Sequence, residues 1–426
     1  MSLVCKKQEY RYLETIFHNQ EEKLRDFIPH LYKNSSFYRD KLDEAGIKPN
    51  DIRTLEDLGR VPLTSKAELR TGYPLGLMAV PEEQVVRIHS SSGTTGKPIV
   101  VPYTRRDVSV WAEMMARCLA TAGVNNLDRV QVTPGYGLWT AGIGFQAGVE
   151  KLGAMTIPTG PGNTEKQIEM MIDLRASVLI GTSSYGLLLA EEIHRRGIGE
   201  QIHLRRGIFG SERWGEKMRA RIVELLNIET FDIYGLTEVY GPGIAIDCQH
   251  HKGLHYWDDH LLFEIIDPVT GRQLPLGQEG ELVITTLTKE GMPLLRYRTH
   301  DITRIMTEPC PCGSPYPMIS RILSRTDDMI KIKGVNIYPG QVDHVLQMTS
   351  GASAEYQIIL TRSNGKDSIL VKVEGQPGHP PERVADLCRK NIKSSIGILA
   401  AVEVVPQGSL PRSEKKSKRI YDSREC

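Results

Sequence analysis

Cysteine and aromatic residues are sparse in this sequence, and no long apolar run is present. Seven cysteines in 426 residues are too few and too uneven for a disulfide framework. No stretch of about 18 apolar residues could span a bilayer, and the N-terminus lacks the apolar core of a secretory signal. With 53 Lys plus Arg against 52 Asp plus Glu, no single-sign field attracts nucleic acid or an anionic membrane. We therefore expect a cytoplasmic protein with neither nucleic-acid nor membrane partners.

The spacing of apolar residues predicts an α/β fold. From residue 85 short apolar runs alternate with helical patterns, as in the strand-like segments 129–133, 177–181 and 206–209. This alternation is typical of a mostly parallel sheet covered by helices. The clearest helix is 105–122, which a capping-box spacing precedes and a glycine follows.

The chain is expected to form two domains that meet after residue 326. The large N-terminal domain, 1–326, would include a helical segment from about residue 8 to residue 70 that wraps its main body. In the remaining 327–426, strand-like 357–361 and 368–373 flank helical 381–393. That pattern suits a small α+β domain.

The segment 90–98, Ser-Ser-Ser-Gly-Thr-Thr-Gly-Lys-Pro, carries the strongest chemical signal. Hydroxyls, two glycines and a lysine supply backbone N–H groups, side-chain donors and a cation for a polyphosphate. It is not a Walker motif, because only two residues separate Gly93 from Gly96 and Pro98 stands where magnesium would need Ser or Thr. By itself the segment is also compatible with an ordinary Ser/Gly turn.

Four segments, 90–98, 234–238, 296–301 and 411–418, occur in the order and spacing of the adenylate-forming superfamily, which this chain resembles. Segments 34–38, 73–76, 136–140 and 253–260 narrow the resemblance to phenylacetate-coenzyme A ligases. The resemblance implies ATP-dependent ligation of phenylacetate, or a related aryl acetic acid, to coenzyme A through an acyl-adenylate, with release of AMP and pyrophosphate. The implied partners are a small carboxylic acid, ATP, Mg²⁺ and coenzyme A, with a homodimer as one candidate assembly.

The resemblance also assigns roles around the nucleotide. Thr237 would contact the α-phosphate, Glu238 would hold Mg²⁺, and Asp301 would accept hydrogen bonds from the ribose hydroxyls. A carboxylate is a hard oxygen ligand for Mg²⁺, and an ionised acceptor makes strong hydrogen bonds to a diol. Without the resemblance, Glu238 is better explained as a surface acid and Asp301 as a helix cap or turn residue. The residues assigned to the nucleotide site are Ser90, Ser91, Gly93, Thr94, Thr95, Gly96, Lys97, Gly210, Ser211, Glu212, Tyr234, Gly235, Asp301 and Arg325.

Adenylation also requires a cation near the C-terminus. A carboxylate and an α-phosphate about 4 Å apart repel each other by roughly 4 kcal/mol at an effective dielectric constant near 20. The resemblance assigns the bridging cation to Lys416, although Lys415 stands where the superfamily usually has glycine. A solvated basic tail is the alternative.

The small domain of the superfamily moves between the two half-reactions as a mobile lid. The resemblance makes Asp327 the pivot of that motion, Arg325 a nucleotide contact and Gly334 a site of close approach for the pantetheine of coenzyme A. Ser324 replaces the usual glycine before the arginine. Gly334 is equally compatible with an ordinary turn.

The segment 136–142 combines aromatic and small residues, as a slot for a planar ring requires. Tyr136 and Trp139 are candidate walls, with Ala141 and Gly142 beside them. The alternative is an ordinary core aromatic. The superfamily more often has phenylalanine at 139, which leaves the identity of the acid open.

Three cysteines and one histidine offer a structural zinc site. Cys248, His255, Cys310 and Cys312 form a Cys₃His set, the donor set of closed sites, and similar enzymes carry the same four residues. Unrelated surface turns are the alternative, and His250 or His251 could replace His255 as the ligand.

Two other functions remain open from the sequence. One is an adenylating transferase that loads an acyl group onto a carrier protein. The other is a non-catalytic module that binds a nucleotide or an acyl-adenylate. The motifs above do not separate these from a coenzyme A ligase.

Overall fold

The computed structural model describes residues 3–91, 97–212, 214–328, 330–332, 335–363, 366–412 and 419–424. Contacts between Cα atoms divide the chain into two units. The first unit is Met1–Gly160, Ala176–Ile180 and Phe231–Arg321. The second unit is Pro161–Arg175, Gly181–Thr230 and Ile322–Cys426.

The helices of the described residues, numbered along the chain, are α1 Leu3–Asn34, α2 Ser36–Glu44, α3 Leu55–Leu58, α4 Lys66–Thr71, α5 Arg105–Thr121, α6 Ala141–Leu152, α7 Thr164–Asp173, α8 Ser183–Arg196, α9 Glu216–Leu226, α10 Pro339–Met348 and α11 Pro381–Ile396. The first strands are β1 Val85–Ser90, β2 Val100–Thr104, β3 Arg129–Val132, β4 Met155–Ile157, β5 Val178–Thr182, β6 Arg206–Gly210, β7 Glu229–Leu236, β8 Gly241–Asp247, β9 Leu254–Tyr256 and β10 Leu261–Ile266. The remaining strands are β11 Gly280–Thr286, β12 Tyr297–Thr303, β13 Met318–Ile319, β14 Ser324–Arg325, β15 Ile330–Ile332, β16 Val335–Ile337, β17 Ala352–Ser363, β18 Lys366–Gly375, β19 Ala401–Val405 and β20 Ile420–Asp422.

The first unit contains both parallel and antiparallel strands. β3 pairs in parallel with β4 and with β5, in the register Val130 to Thr156 and Val130 to Val178. β7, β8, β9 and β13 follow one another as antiparallel neighbours, and so do β10, β11 and β12. The α/β prediction is confirmed, with a mixed sheet where consecutive strands joined by short connections pair antiparallel.

Helix α5 has the limits that its capping signals predict. Thr104 Oγ1 accepts a hydrogen bond from the Asp107 backbone N–H at 3.1 Å, and Asp107 accepts in return from the Thr104 N–H at 3.0 Å. These two hydrogen bonds provide acceptors for backbone N–H groups that have no intrahelical partner at the start of a helix. The helix packs on α6 and β8 with Trp111 buried.

The N-terminal helices pack on the rest of the first unit. Leu24 and Leu31 of α1, together with Tyr38 of α2, belong to one apolar cluster that also contains Leu262 and Leu295. The Tyr38 hydroxyl accepts a hydrogen bond from the Leu295 backbone N–H at 3.0 Å. This segment therefore shares a core with strand β10 and with the chain just before β12.

The C-terminal part of the second unit is an α+β structure. β17 and β18 pair antiparallel, β20 lies parallel to β17, and β19 lies parallel to β18. Helices α10 and α11 pack together over a core of aliphatic residues that includes Val345, Ile358, Val371 and Ile392. The α+β character expected for this part of the chain is present.

In the part of the chain that the structure describes, no helix combines the length and the hydropathy that crossing a membrane requires.

Candidate active site

The predicted phosphate segment joins β1 to β2. The Ser91 N–H donates to the Ile99 carbonyl at 3.0 Å, and Ser91 Oγ accepts from the Ile99 N–H at 2.9 Å. Ser90 is buried and donates its N–H to the Leu138 carbonyl at 2.9 Å. These bonds fix the chain on both sides of the segment.

Part of that segment lies outside the described residues, including Gly93, Thr94, Thr95 and Gly96. Lys97 follows directly and is exposed, and its ammonium lies 5.2 Å from the centroid of the Tyr73 ring. A cation over an aromatic face is a weak contact at an exposed site. The positive charge of Lys97 is therefore accessible to a ligand at the end of the segment.

Thr237 and Glu238 follow strand β7, in the connection to β8. Gly235 allows this connection, because a Cβ atom there would lie 2.1 Å from the Gly241 carbonyl oxygen. Thr237 Oγ1 lies 3.3 Å from Thr140 Oγ1, which belongs to the segment before α6. Glu238 is 4% exposed.

A lysine that the sequence analysis did not single out neutralises Glu238. Lys66, the first residue of α4, places its ammonium 2.9 Å from Glu238 Oε1. The buried carboxylate already accommodates one cation, and it offers the hard oxygen ligands that Mg²⁺ takes. Glu238 therefore fits the role of a magnesium ligand.

Lys289 contacts the same connection, and no sequence signal singles it out. Its side chain is 3% exposed, donates a hydrogen bond to the Val239 carbonyl, and lies 4.1 and 4.3 Å from the ring centroids of Tyr103 and Tyr240. Burial lowers the pKa of Lys289 to about 7, and only Asp107 opposes that shift. A buried amine therefore donates a hydrogen bond to Val239, the residue after Glu238.

Asp301 lies in β12 beside the motif that contains Tyr234. Its Oδ2 accepts a hydrogen bond from the Tyr234 hydroxyl at 2.5 Å, and Asp301 itself is 3% exposed. The structure therefore brings together two predicted site residues that are far apart in the sequence. A nearly buried carboxylate with one phenol donor can also accept from a diol.

In the second unit, strand β6 ends at Gly210, and Ser211 and Glu212 follow it directly. Ser211 is exposed and has the left-handed φ of 67°. Glu212 accepts hydrogen bonds from the backbone N–H of Ser184 at 2.7 Å and from its hydroxyl. This segment therefore lies where β6 ends and α8 begins, as a ligand-binding turn of an α/β fold does.

Arg325 and Asp327 form a bidentate ion pair with each other. Arg325 Nε and Nη2 donate to the two carboxylate oxygens at 2.9 and 3.0 Å. The predicted nucleotide contact and the predicted pivot are thus joined by one local contact. Gly334 and Lys416 lie outside the described residues.

The predicted ring slot has one half-buried and one exposed aromatic residue. Tyr136 is half buried, and burial raises its pKa to about 12. Gly142 allows its approach, because a Cβ atom there would lie 2.8 Å from the Tyr136 ring. Trp139 is 57% exposed, so it is not an ordinary core residue, and Ala141 begins α6.

The four predicted zinc ligands lie together. The ligand atoms of Cys248, His255, Cys310 and Cys312 are all within 4.8 Å of one another. Strands β9 and β13 pair antiparallel, with His255 opposite Met318. Since β9 also pairs with β8, this pairing brings the 310–312 turn, which precedes β13, close to Cys248 at the end of β8. Three thiols and an imidazole at this spacing match the donor set of a closed tetrahedral site.

The imidazole of His255 is oriented for this role. His255 Nδ1 lies 2.9 Å from the Tyr316 carbonyl, which leaves Nε2 facing Cys312 Sγ at 3.3 Å. A carbonyl on the far nitrogen is the usual support of a metal-bound histidine. The alternative ligand His251 instead lies 2.9 Å from Asp247 Oδ2.

Comparison with known proteins accounts for these motifs. The family model described as "AMP-binding enzyme" matches residues 39–288, and the model described as "AMP-binding enzyme C-terminal domain" matches residues 334–424. The chain belongs to the AMP-binding enzyme family. It is similar over nearly its full length to phenylacetate-coenzyme A ligases, so the predicted resemblance is confirmed.

Two curated relatives show the extent of the match. The phenylacetate-coenzyme A ligase of Pseudomonas putida is 44% identical over 422 residues, which is 97% of this chain and 95% of the relative. The Escherichia coli strain K12 enzyme of the same name is 43% identical over 416 residues, 95% of this chain and 94% of the relative.

The solved structures of 2-hydroxyisobutyryl-CoA ligase have the same fold. Its structure in the postadenylation state with 2-HIB-AMP matches with a TM-score of 0.86 and 28% identity over 95% of this chain and 89% of the other. Its structure with 2-HIB-AMP and CoA in the thioesterification state matches with a TM-score of 0.70, at 28% identity over 96% and 90% of the two chains.

Proposed function

We propose that this AMP-binding enzyme joins phenylacetate, or a related aryl acetic acid, to coenzyme A through an acyl-adenylate and releases AMP and pyrophosphate. The observation that carries the proposal is the placement of two buried carboxylates on neighbouring motifs, Glu238 in the connection after β7 and Asp301 hydrogen-bonded to Tyr234 of that strand. Relatives at 43–44% identity that are phenylacetate-coenzyme A ligases support the same acid and the same acceptor.

In the adenylation step, the residues of the chain would bind the nucleotide and offset its charge. Asp301 accepts from the ribose hydroxyls, Thr237 donates to the α-phosphate, and the 90–97 segment and Lys97 bind the phosphates. Glu238 would hold Mg²⁺, which supplies charge neutralisation at the phosphates when bound. Lys416 bridges the carboxylate and the α-phosphate and lowers their repulsion.

The remaining nucleotide contacts come from the second unit. Gly210, Ser211 and Glu212 present backbone and carboxylate groups to the adenine, and Arg325 contacts the nucleotide once it separates from Asp327. In the thioester step the thiol of coenzyme A attacks the acyl carbonyl and AMP leaves. Gly334 lets the pantetheine pass close to the backbone.

The acid would bind beside Tyr136. Gly142 keeps space against one edge of that ring, and Trp139 and Ala141 complete a slot for a flat aryl group. An exposed tryptophan in the free chain loses solvent contact when such a ring binds, which contributes to affinity.

The cluster Cys248, His255, Cys310 and Cys312 would hold a structural Zn²⁺ that ties the 310–312 turn to β8 and β9. We also propose a cytoplasmic location, which suits the few unpaired thiols, and a homodimeric assembly.

The test is a screen of aryl and alkyl acids with ATP, Mg²⁺ and either coenzyme A or a carrier protein. We expect release of AMP and formation of a thioester with coenzyme A, fastest with phenylacetate. Product formation only with the carrier protein would overturn the choice of acceptor. Fastest turnover with an alkyl acid would overturn the choice of acid.

A further inference from the structure

Two arginines lie on either side of the segment 413–418, which contains Lys416 and is outside the described residues. Arg412 Nη1 and Nη2 donate to the two carboxylate oxygens of Glu374 at 2.8 and 2.9 Å. Arg419 Nη2 donates to Glu355 Oε1 at 3.1 Å. Glu374 of β18 is fully buried and Glu355 of β17 nearly so. The two residues that flank the segment are therefore anchored on one β-sheet.

A third carboxylate reaches Arg412 from another part of the second unit. Glu191 belongs to α8, and its Oε2 and Oε1 accept from Arg412 Nε at 3.1 Å and from Nη2 at 3.3 Å. The Arg412 side chain is 11% exposed and that of Glu191 is 25% exposed. Arg412 thus bridges the sheet of β17 and β18 to α8.

Two of the carboxylates near Arg412, those of Glu374 and Glu191, differ in how much they depend on its charge. Glu374 is buried, so without Arg412 its charge would be left uncompensated, which is strongly destabilising. Glu191 is partly exposed, and water can solvate it when Arg412 is absent. The pair of Arg412 with Glu374 therefore belongs to the fold of the sheet, whereas the pair with Glu191 adds a contact that the fold does not require.

An independent contact holds the same parts of the unit together. Lys217 of α9 donates to the backbone carbonyls of Leu346 at 2.8 Å, Thr349 at 2.7 Å and Ala352 at 2.5 Å, where α10 ends and β17 begins. These bonds do not involve Glu191. Removing the Glu191 charge therefore leaves the packing of α9 against the C-terminal sheet in place.

We propose that Glu191 is a positioning residue for the adenylation half-reaction, because its bond ties Arg412, the last described residue before Lys416, to α8. The inference rests on the proposed function, in which Lys416 acts in adenylation and is dispensable for thioester formation. Since Glu191 belongs to α8, its contact exists only in arrangements that bring α8 to Arg412. Thioester formation from a supplied acyl-adenylate does not depend on it.

The test compares two neighbouring carboxylates of α8. Glu191→Gln keeps the shape of the side chain and removes its charge. Glu192→Gln is the matched control, because Glu192 pairs only with residues of its own helix in the ion pairs of the described chain, Arg195 at 2.6 Å and Arg196 at 2.6 Å. Both half-reactions are measured on the full-length chain: phenylacetate-dependent ATP–pyrophosphate exchange, and thioester formation from phenylacetyl-adenylate and coenzyme A.

We expect Glu191→Gln to lower the rate of exchange about tenfold, with the loss in kcat, because a charge-assisted contact of this kind is worth roughly one decade in rate. Thioester formation should change less than about twofold. Glu192→Gln should leave both rates near those of the unmodified chain. Added salt should lower exchange in the unmodified chain toward that of Glu191→Gln, since the contact is partly exposed and screened.

Equal losses in both half-reactions, or equal effects of the two variants, would show that Glu191 has a structural role only and would overturn the inference. A melting temperature of Glu191→Gln equal to that of Glu192→Gln excludes misfolding as the cause of a selective loss. If the unmodified chain itself gives no acid-dependent exchange, the proposed function fails and this inference fails with it. If the unmodified chain catalyses exchange but Glu191→Gln lowers both half-reactions equally, this inference fails and the proposed function stands.

Discussion

Two lysines, Lys66 and Lys289, contact the connection that carries Thr237 and Glu238. Lys66 pairs with the Glu238 carboxylate at 2.9 Å, and Lys289 donates to the carbonyl of the next residue. Neither was predictable, because a single lysine in a chain with 53 basic residues has no distinguishing pattern. Glu238 and Asp301 were found by motif, but their burial and their partners depend on strand pairing that no local sequence contains.

Glu238→Gln should raise the Mg²⁺ concentration needed for half-maximal exchange and lower the maximal rate by about 100-fold. The neutral amide keeps the side-chain shape but loses the ionised oxygens that a hard cation prefers. The measurement is ATP–pyrophosphate exchange over a range of Mg²⁺ concentrations. Glu113→Gln, which changes a half-exposed carboxylate of α5, is the control, and an unchanged Mg²⁺ dependence in Glu238→Gln would remove the metal assignment.

Lys289→Met should alter how stability depends on pH. Burial lowers the folded-state pKa of Lys289 to about 7, below the ordinary value of 10.5, so between these values the unfolded chain binds the extra proton and stability rises with pH. The free energy of unfolding of the unmodified chain, relative to Lys289→Met, should therefore rise by about 2 kcal/mol from pH 7 to about pH 9. Urea unfolding at several pH values measures it. If the free energy of unfolding depends on pH in the same way in both chains, the Lys289 amine is not deprotonated on folding.

Among the elements, those with local stop and start signals were predicted best. Helix α5 follows its capping box and runs Arg105–Thr121, and α11 begins at Pro381 as expected. Strands β17 and β18 are longer than the segments 357–361 and 368–373, because each continues by pairing with the other beyond its apolar run. Antiparallel pairs such as β8 with β9 were not anticipated, since pairing partners are set by the whole unit.

The zinc cluster depends on several elements at once. The sequence suggested its four ligands, yet only the pairing of β9 with β13 brings His255 to the 310–312 turn. Local spacing therefore identifies the ligands but cannot show that they meet.

The purified chain should contain about one zinc ion, and Cys310→Ser should lose it and lower the melting temperature. Cys388→Ser is the matched control, because Cys388 is buried in the other unit and is not part of the cluster. Metal content by elemental analysis and thermal unfolding are the measurements. A metal-free chain as stable as the zinc-bound one would contradict a structural role for the cluster.

For the whole molecule, the family and the order of its motifs were predictable from the sequence. Contacts group 161–175 and 181–230 with the C-terminal residues, whereas the sequence places a boundary after residue 326. The predicted domains 1–326 and 327–426 stay a prediction about independent folding and motion. A helix such as α8 cannot show from its own sequence which other part of the chain it contacts.

The measurement that tests the central claim most directly is a comparison of the two half-reactions in Lys416→Ala. We expect phenylacetate-dependent ATP–pyrophosphate exchange to fall by at least about 100-fold, because no cation bridges the two anions, while thioester formation from supplied phenylacetyl-adenylate stays near that of the unmodified chain. Lys415→Ala, at the neighbouring position, should retain both activities. Equal loss of both half-reactions in Lys416→Ala, or no exchange with phenylacetate in the unmodified chain, would contradict the account.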